Sequence, residues 1–185
     1  MAANNEGTIF ADISRCLACR SCELACAVEH SASKNLGGAL AEPQRPQSRI
    51  SVVAVEGAAI PLQCRHCEDA PCAAVCPTGA ITKLGPNQPV VINQDRCIGC
   101  KFCVMVCPFG VVTMRRDGKV ALKCDMCLSR LEGGKQPACV SACPTRALGC
   151  RDLSEITAGK RRATAKAVIE ARHESEQVAE EALSK

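Results

Sequence analysis

Sixteen of the 17 cysteines fall into four groups: Cys16, Cys19, Cys22 and Cys26; Cys64, Cys67, Cys72 and Cys76; Cys97, Cys100, Cys103 and Cys107; and Cys124, Cys127, Cys139 and Cys143. Thiols at this density in 185 residues answer to one of three chemistries: disulfides, zinc or iron-sulfur clusters. A disulfide scaffold needs an oxidising compartment. The N-terminal MAANNEGTIFADISRC has neither a charged leader nor an apolar h-region, so reduced thiols and a cytoplasmic location are expected. Zinc takes two C-x-x-C pairs separated by a longer loop in one tetrahedral site. Three cysteines at i, i+3 and i+6, as at 16–22 and 97–103, suit three corners of a 4Fe-4S cubane better.

The run C-x-x-C-x-x-C-x-x-x-C-P at 97–108 is the bacterial ferredoxin signature. A short helix starting after the third cysteine carries the fourth away from the first cubane, so that in two-cluster ferredoxins it completes the neighbouring cluster. The groups are therefore expected to work in pairs. The C-x-x-x-C-x-x-C order of radical enzymes does not occur, and every group has its fourth thiol. That predicts saturated clusters for outer-sphere electron transfer. A Gly-rich nucleotide loop and an acid-base constellation are both missing from the sequence, so no catalytic residue is assigned and the chain is expected not to be an enzyme by itself.

Composition points the same way. Aromatics amount to 2%, namely Phe10, Phe102 and Phe109, with no Trp or Tyr, so the side chains that usually dominate core energetics are nearly missing. Cluster ligation would supply the folding free energy instead, and the apoprotein is expected to be largely unfolded. The net charge of +4 belongs to the cysteine-bearing part, because residues 151–185 hold seven basic and seven acidic side chains. Arg15, Arg20, Arg65, Arg96, Lys101 and Lys123 each lie within a residue of a cysteine. They either offset buried cluster charge and raise potentials, or are solvated surface charge. The missing aromatics argue against a nucleic-acid partner, and no window approaches the roughly 18 apolar residues of a membrane span.

The elements that must position the thiols are short. CPTGAI at 76–81, CPFGVV at 107–112 and CPTRAL at 143–148 are one unit reused, with a turn after Cys-Pro and an apolar pair opening a strand. The small apolar stretches CAAVC, CVMVC and CVSAC suit short helices. Residues 31–48 read as a surface loop. Residues 49–55 and 59–63 read as a hairpin turning at Glu56 and Gly57, with further strands near 8–12, 89–93, 111–114 and 119–122. From Asp152 onward a helix is predicted, capped at Asp152 or Ser154 and open to interruption at Gly159. Its apolar stripe is thin, so it lies across the cluster domain or reaches another subunit.

The order of groups, the C-x-x-C-x-x-x-x-C-x-x-x-C-P of the second and the C-x-x-C, eleven residues, C-x-x-x-C-P of the fourth resemble the four-cluster polyferredoxin subunits of DMSO reductase, formate dehydrogenase and formate-linked hydrogenase. Within that family, CLACRSCELACAVEHS at 16–31 is most similar to the iron-sulfur protein serving carbon monoxide dehydrogenase, whose relatives accompany tungsten or molybdenum aldehyde oxidoreductases. The resemblance covers roughly residues 8–156. It implies an α+β fold of two bacterial-ferredoxin-like two-cluster modules, one inserted in the other, with short β hairpins and a C-terminal helix. Residues 8–30 plus 116–150 would form the outer module, 31–63 a connecting loop and hairpin, 64–115 the inner module and 151–185 a helical arm.

It further implies four 4Fe-4S clusters. Cys64, Cys67 and Cys72 would share one with Cys107, and Cys97, Cys100 and Cys103 another with Cys76. Cys16, Cys19 and Cys22 would share the third with Cys143, and Cys124, Cys127 and Cys139 the fourth with Cys26. Ala27 stands where other groups have proline, a substitution common in first groups of the family; Cys103 is present, which favours a cubane over a 3Fe-4S cluster. Cys150 reads as a buried inert thiol, His66 as a loop residue near a cluster, and His30 and His173 as surface residues, none with a partner for acid-base work.

The expected function is an electron-transfer subunit relaying electrons between a catalytic oxidoreductase subunit and a further redox acceptor or flavoprotein. Copies could also stack through their modules and arm. The alternatives are a freely diffusing polyferredoxin and a zinc-binding scaffold.

Overall fold

The computed structural model describes residues 7–183, and side chains as far as residue 173. Mixed short helices and two-stranded sheets precede one long helix, and the chain divides into a compact unit ending at Cys150 and a second from Arg151 onward.

Within the first unit the elements come in repeated pairs. Strand β1 (Gly7–Ala11) pairs with β8 (Leu148–Asp152), and the antiparallel hairpin β2 (Ile50–Val55) and β3 (Ala58–Gln63) runs from Ile50 opposite Gln63 to Val55 opposite Ala58. Glu56 and Gly57 turn it, both with positive φ (50° and 80°), as a tight hairpin turn requires. Strands β4 (Ile81–Lys83) and β5 (Val90–Ile92) form a second hairpin, and β6 (Thr113–Met114) and β7 (Ala121–Leu122) a third, the last two strands shorter than their sequence suggests.

Four of the short helices lie at the third cysteine of a group. Helix α1 (Ser21–Glu29) carries Cys22 and Cys26, and it packs against α6 (Ala138–Ser141), which carries Cys139. Helix α3 (Pro71–Ala74) carries Cys72 and packs against α4 (Phe102–Val106), which carries Cys103. Two apolar cores follow from these pairings. One gathers Ile9, Cys22, Cys26, Ile50, Val52, Cys124, Met126, Cys139 and Leu148; the other gathers Cys72, Ile81, Val90, Cys103, Val112 and Ala121.

Polar ties fix the elements to one another. Buried Gln63 donates to the Ile9 carbonyl at 3.1 Å, joining β3 to β1, and Glu23 on α1 accepts from the Val52 N–H at 2.5 Å, satisfying an edge of β2. Gly149 is held against the Phe10 ring, where an added Cβ would lie 2.3 Å from the ring carbon.

Two expectations are corrected. The stretch 31–48 is not all loop: α2 (Leu36–Ala41) forms despite Gly37 and Gly38, because the Asn35 side chain caps it by accepting from the Gly38 N–H at 2.8 Å. Gly159 does not interrupt α7 (Leu153–Leu183), since one glycine costs about 1 kcal/mol and is absorbed by the good helix formers around it. The predicted start holds: Asp152 accepts from the Ser154 N–H at 2.6 Å. Helix α5 (Leu128–Glu132) occupies the first five of the eleven residues between Cys127 and Cys139. No helix among the described residues is long and apolar enough to cross a membrane.

Candidate metal centres

The third residue of each group's first C-x-x-C adopts a left-handed conformation: Ala18 (φ 56°), His66 (51°), Gly99 (70°) and Met126 (63°). Arg20 and Lys101 repeat it at the next turn. Left-handed residues within an otherwise right-handed loop turn backbone N–H groups toward one point and make an anion-binding concavity. The effect is visible at the sulfurs: His66 N–H approaches Cys64 Sγ at 3.4 Å and Met126 N–H approaches Cys124 Sγ at 3.4 Å. Arg49 and Ala121 supply the same from outside, donating to Cys26 Sγ at 3.3 Å and Cys97 Sγ at 3.5 Å. The turn after each Cys-Pro repeats as well, with Gly79 (59°), Gly110 (61°) and Arg146 (54°) left-handed in turn.

Three cavities result, each lined by four cysteines. Cys16, Cys19, Cys22 and Cys143 surround one, Cys64, Cys67, Cys72 and Cys107 another, and Cys76, Cys97, Cys100 and Cys103 a third. In every case three thiols come from one group and the fourth from a different group. Cys26, Cys124, Cys127 and Cys139 are all buried and lie within electrostatic reach of one another.

None of the 17 cysteines is joined in a disulfide, and burial makes the anionic form of the thiol costly for many of them. It pushes Cys22 and Cys127 up to about 11 and raises Cys72, Cys103, Cys124 and Cys139. Burial also acts on Cys76 and Cys143, but N–H groups of Ile81 and Leu148 and the hydroxyls of Thr78 and Thr145 outweigh it and lower both. Cys19 is lowered by Ser21. Clustered, buried thiols ringed by N–H donors fit a cofactor that binds as the thiolate and replaces the proton, which is how iron-sulfur clusters are held.

For five of the six bases that border the grouped cysteines, exposure favours solvated surface charge, one of the two readings the sequence left open. Arg15, Arg20, Arg65, Arg96 and Lys101 are exposed, and solvent screens them. Only Lys123 among the six is buried, at 3% exposure. His30 is not a bare surface residue: Nε2 donates to Asp125 at 3.1 Å and Nδ1 to the Cys26 carbonyl at 2.7 Å. Burial alone would lower the imidazole, but Asp125 and Cys26 outweigh it and lift His30 to about 9. Burial would raise Asp125, yet His30 and Arg49, the latter at 2.5 Å, hold its carboxyl well below the usual range. His30, Asp125 and Cys127 bring ligand atoms within 4.8 Å of one another. The Asp125 oxygens are already taken by His30, Arg49 and the Cys127 N–H, so the trio is an ion-pair network beside the buried thiols.

His66 does sit in its loop, as expected. Its Nδ1 accepts from the Val90 N–H at 3.0 Å, burial followed by the Lys123 charge lowers it to about 3, and Nε2 is buried without a partner among the described residues. His173 is exposed. Cys150 is half-buried, a little more accessible than expected, and burial raises its thiol.

The sequence comparisons agree with this chemistry. The 4Fe-4S dicluster domain family matches residues 55–153, and a 4Fe-4S binding domain matches residues 13–29. An "Iron-sulfur protein" of Rhodospirillum rubrum is 45% identical over 86% of this chain and 90% of its own length. The "Electron transport protein HydN" of Escherichia coli is 42% identical over 85% of this chain and 96% of its own, and the "Thiosulfate reductase electron transfer subunit PhsB" of Salmonella typhi is 39% identical over 82% and 80%.

Proposed function

Because the chain belongs to the 4Fe-4S dicluster family of polyferredoxin electron-transfer proteins, we propose that it is a non-catalytic electron-transfer subunit holding four 4Fe-4S clusters. It relays electrons between a catalytic oxidoreductase subunit and a further redox acceptor or flavoprotein. The observation that carries this reading is the composition of the cavities, three thiols from one group and one from another.

The ligand sets are the three cysteine-lined cavities and the buried quartet Cys26, Cys124, Cys127 and Cys139. They sort into an outer module of the first and fourth groups and an inner module of the second and third, which the two separate cores support. Bound clusters supply one-electron transfer without bond making at iron. The chain's own residues grip the irons, exclude water and aim N–H groups at sulfur.

Exposure of the thiols supports one order of conduction. Cys19 and Cys100 are exposed, so the cluster of Cys16, Cys19, Cys22 and Cys143 and that of Cys76, Cys97, Cys100 and Cys103 are the terminal exchange points. The other two are interior and meet where Lys123 lies between Cys64 and Cys124. The catalytic partner belongs to the tungsten or molybdenum aldehyde, formate, carbon monoxide dehydrogenase or hydrogenase classes, the protein works in the cytoplasm, and copies can stack through modules and arm. The partner classes rest on the resemblance in the order and spacing of the groups and at 16–31, the cytoplasmic assignment on the reduced state expected of the thiols, and stacking on the modular layout and the arm alone.

The test is a set of three variants read by paramagnetic resonance on anaerobic protein carrying about 16 iron and 16 sulfide. Cys143→Ser and Cys19→Ser should alter the same cluster signal, and Cys127→Ser a different one. If Cys143→Ser and Cys127→Ser strike the same signal, the crossed ligation is wrong.

A further inference from the structure

Lys123 is the one buried cation among the six bases that border the grouped cysteines. An ammonium has three donors, and here each has an acceptor: the Val90 carbonyl on β5, the Cys124 carbonyl at 3.0 Å and Cys64 Sγ at 3.6 Å. None of the three is a carboxylate. Asp125, two residues along, turns its oxygens to His30 and Arg49.

A lysine at this depth is almost never found without a charge partner, because carbonyl dipoles alone do not repay the lost hydration of an ion. The anionic partner within reach is the sulfur of Cys64, and the ammonium's field extends to Cys72 of the same set. Val90 and Cys72 belong to one apolar core and Cys124 to the other. The lysine therefore bridges the two cores where the interior ligand sets meet.

We propose that Lys123 is a fixed internal cation that sets the reduction potential of the cluster held by Cys64, Cys67, Cys72 and Cys107, making it the favoured resting place of an electron crossing between the two modules. The inference rests on the ligand sets proposed above. When an electron arrives, the site gains one negative charge and no bond forms or breaks; when it leaves, that charge leaves with it. A cation at the ligand sulfur stabilises the reduced site more than the oxidised one and so raises the potential. The Cys124 side is touched only through a carbonyl, so its potential is affected less. The five exposed bases act through water and shift potentials weakly.

The experiment is a redox titration of anaerobic full-length holoprotein followed by paramagnetic resonance. Lys123→Met with full iron and sulfide should disfavour reduction of one cluster at least tenfold, a fall of about 59 mV for a one-electron couple. The affected signal should be the one that Cys64→Ser removes or alters. Lys101→Met, beside exposed Cys100, should change every reduction equilibrium by less than about twofold. Lys123→Gln supplies a second neutral variant that can still donate to the carbonyls. Four unchanged potentials in a fully loaded neutral variant would overturn the proposal, and so would failure of both neutral variants to load iron, which would mark a purely structural lysine. A tenfold shift in some other signal would leave the cation's role standing and overturn the ligand assignment beneath it.

Discussion

Gly99 has a φ of 70°, and a Cβ placed on it would lie 2.8 Å from the Lys119 carbonyl oxygen. Ala18 occupies the equivalent place in the first group at a φ of 56°, so the left-handed turn alone tolerates a methyl group. Gly99→Ala adds the carbonyl clash to the left-handed cost of about 1–2 kcal/mol. We expect it to destabilise the holoprotein by about 2 kcal/mol or more in urea unfolding, with loss of iron from the Cys97 loop; Ala18→Gly should change stability by less than about 1 kcal/mol. Asp125 makes a second prediction at this scale. Asp125→Asn removes the anion shared by His30 and Arg49, whose side chains are 12% and 14% exposed, and should lower the melting temperature. Equal melting temperatures for Asp125→Asn and the parent would show that the network contributes nothing. The spacing of the thiols was legible in the sequence because ligand geometry is local. The His30–Asp125 pair was not, because 95 residues separate its members and only the packing of α1 beside the Cys124 loop joins them. Lys123 was visible as one of six bases near cysteines, yet sequence distance says nothing of depth.

At the level of elements, hairpins and helix starts could be read where a turn residue or a cap marks them, as at Glu56–Gly57 and Asp152. Helix α2 escaped because LGGALA has poor intrinsic propensity and its cap, Asn35, lies among other loop formers. Helix α7 shows the reverse case. Its described side chains are exposed except Ile156, which is half-buried, and Leu153, Val168 and Ile169 stand 52%, 64% and 56% exposed. A 31-residue helix with so little covered gains little from its own burial. Every cysteine precedes it, so truncation after Asp152 should leave iron and sulfide content unchanged. If the helix anchors the catalytic subunit, the same truncation should abolish co-purification with the partner that accompanies the full-length chain. Undiminished recovery of that partner would show that docking resides in the cysteine-bearing unit.

Across the whole molecule, the question is what replaces an ordinary apolar core. The largest fully buried side chains are Met126, Gln63, Val90, Pro61, Pro89 and Pro137, without one aromatic among them. Both cores are instead built around thiols: Cys22, Cys26, Cys124 and Cys139 in one, Cys72 and Cys103 in the other. The sheets are two-stranded, too small to be stable alone. In the ligation proposed above, each iron-sulfur cage would cross-link segments remote in sequence, and its ligation free energy would become folding free energy. Without them, buried thiols face one another with little apolar area to hold the segments together. Iron chelation under anaerobic, reducing conditions should therefore abolish the cooperative unfolding transition of residues 7–150 and leave their backbone amides exchanging at near-random-coil rates. Reconstitution with iron and sulfide should restore both together. An apoprotein that kept slow exchange in β2 and β3 would mean that the hairpin and its ties to Ile9 and Glu23 hold the fold without metal.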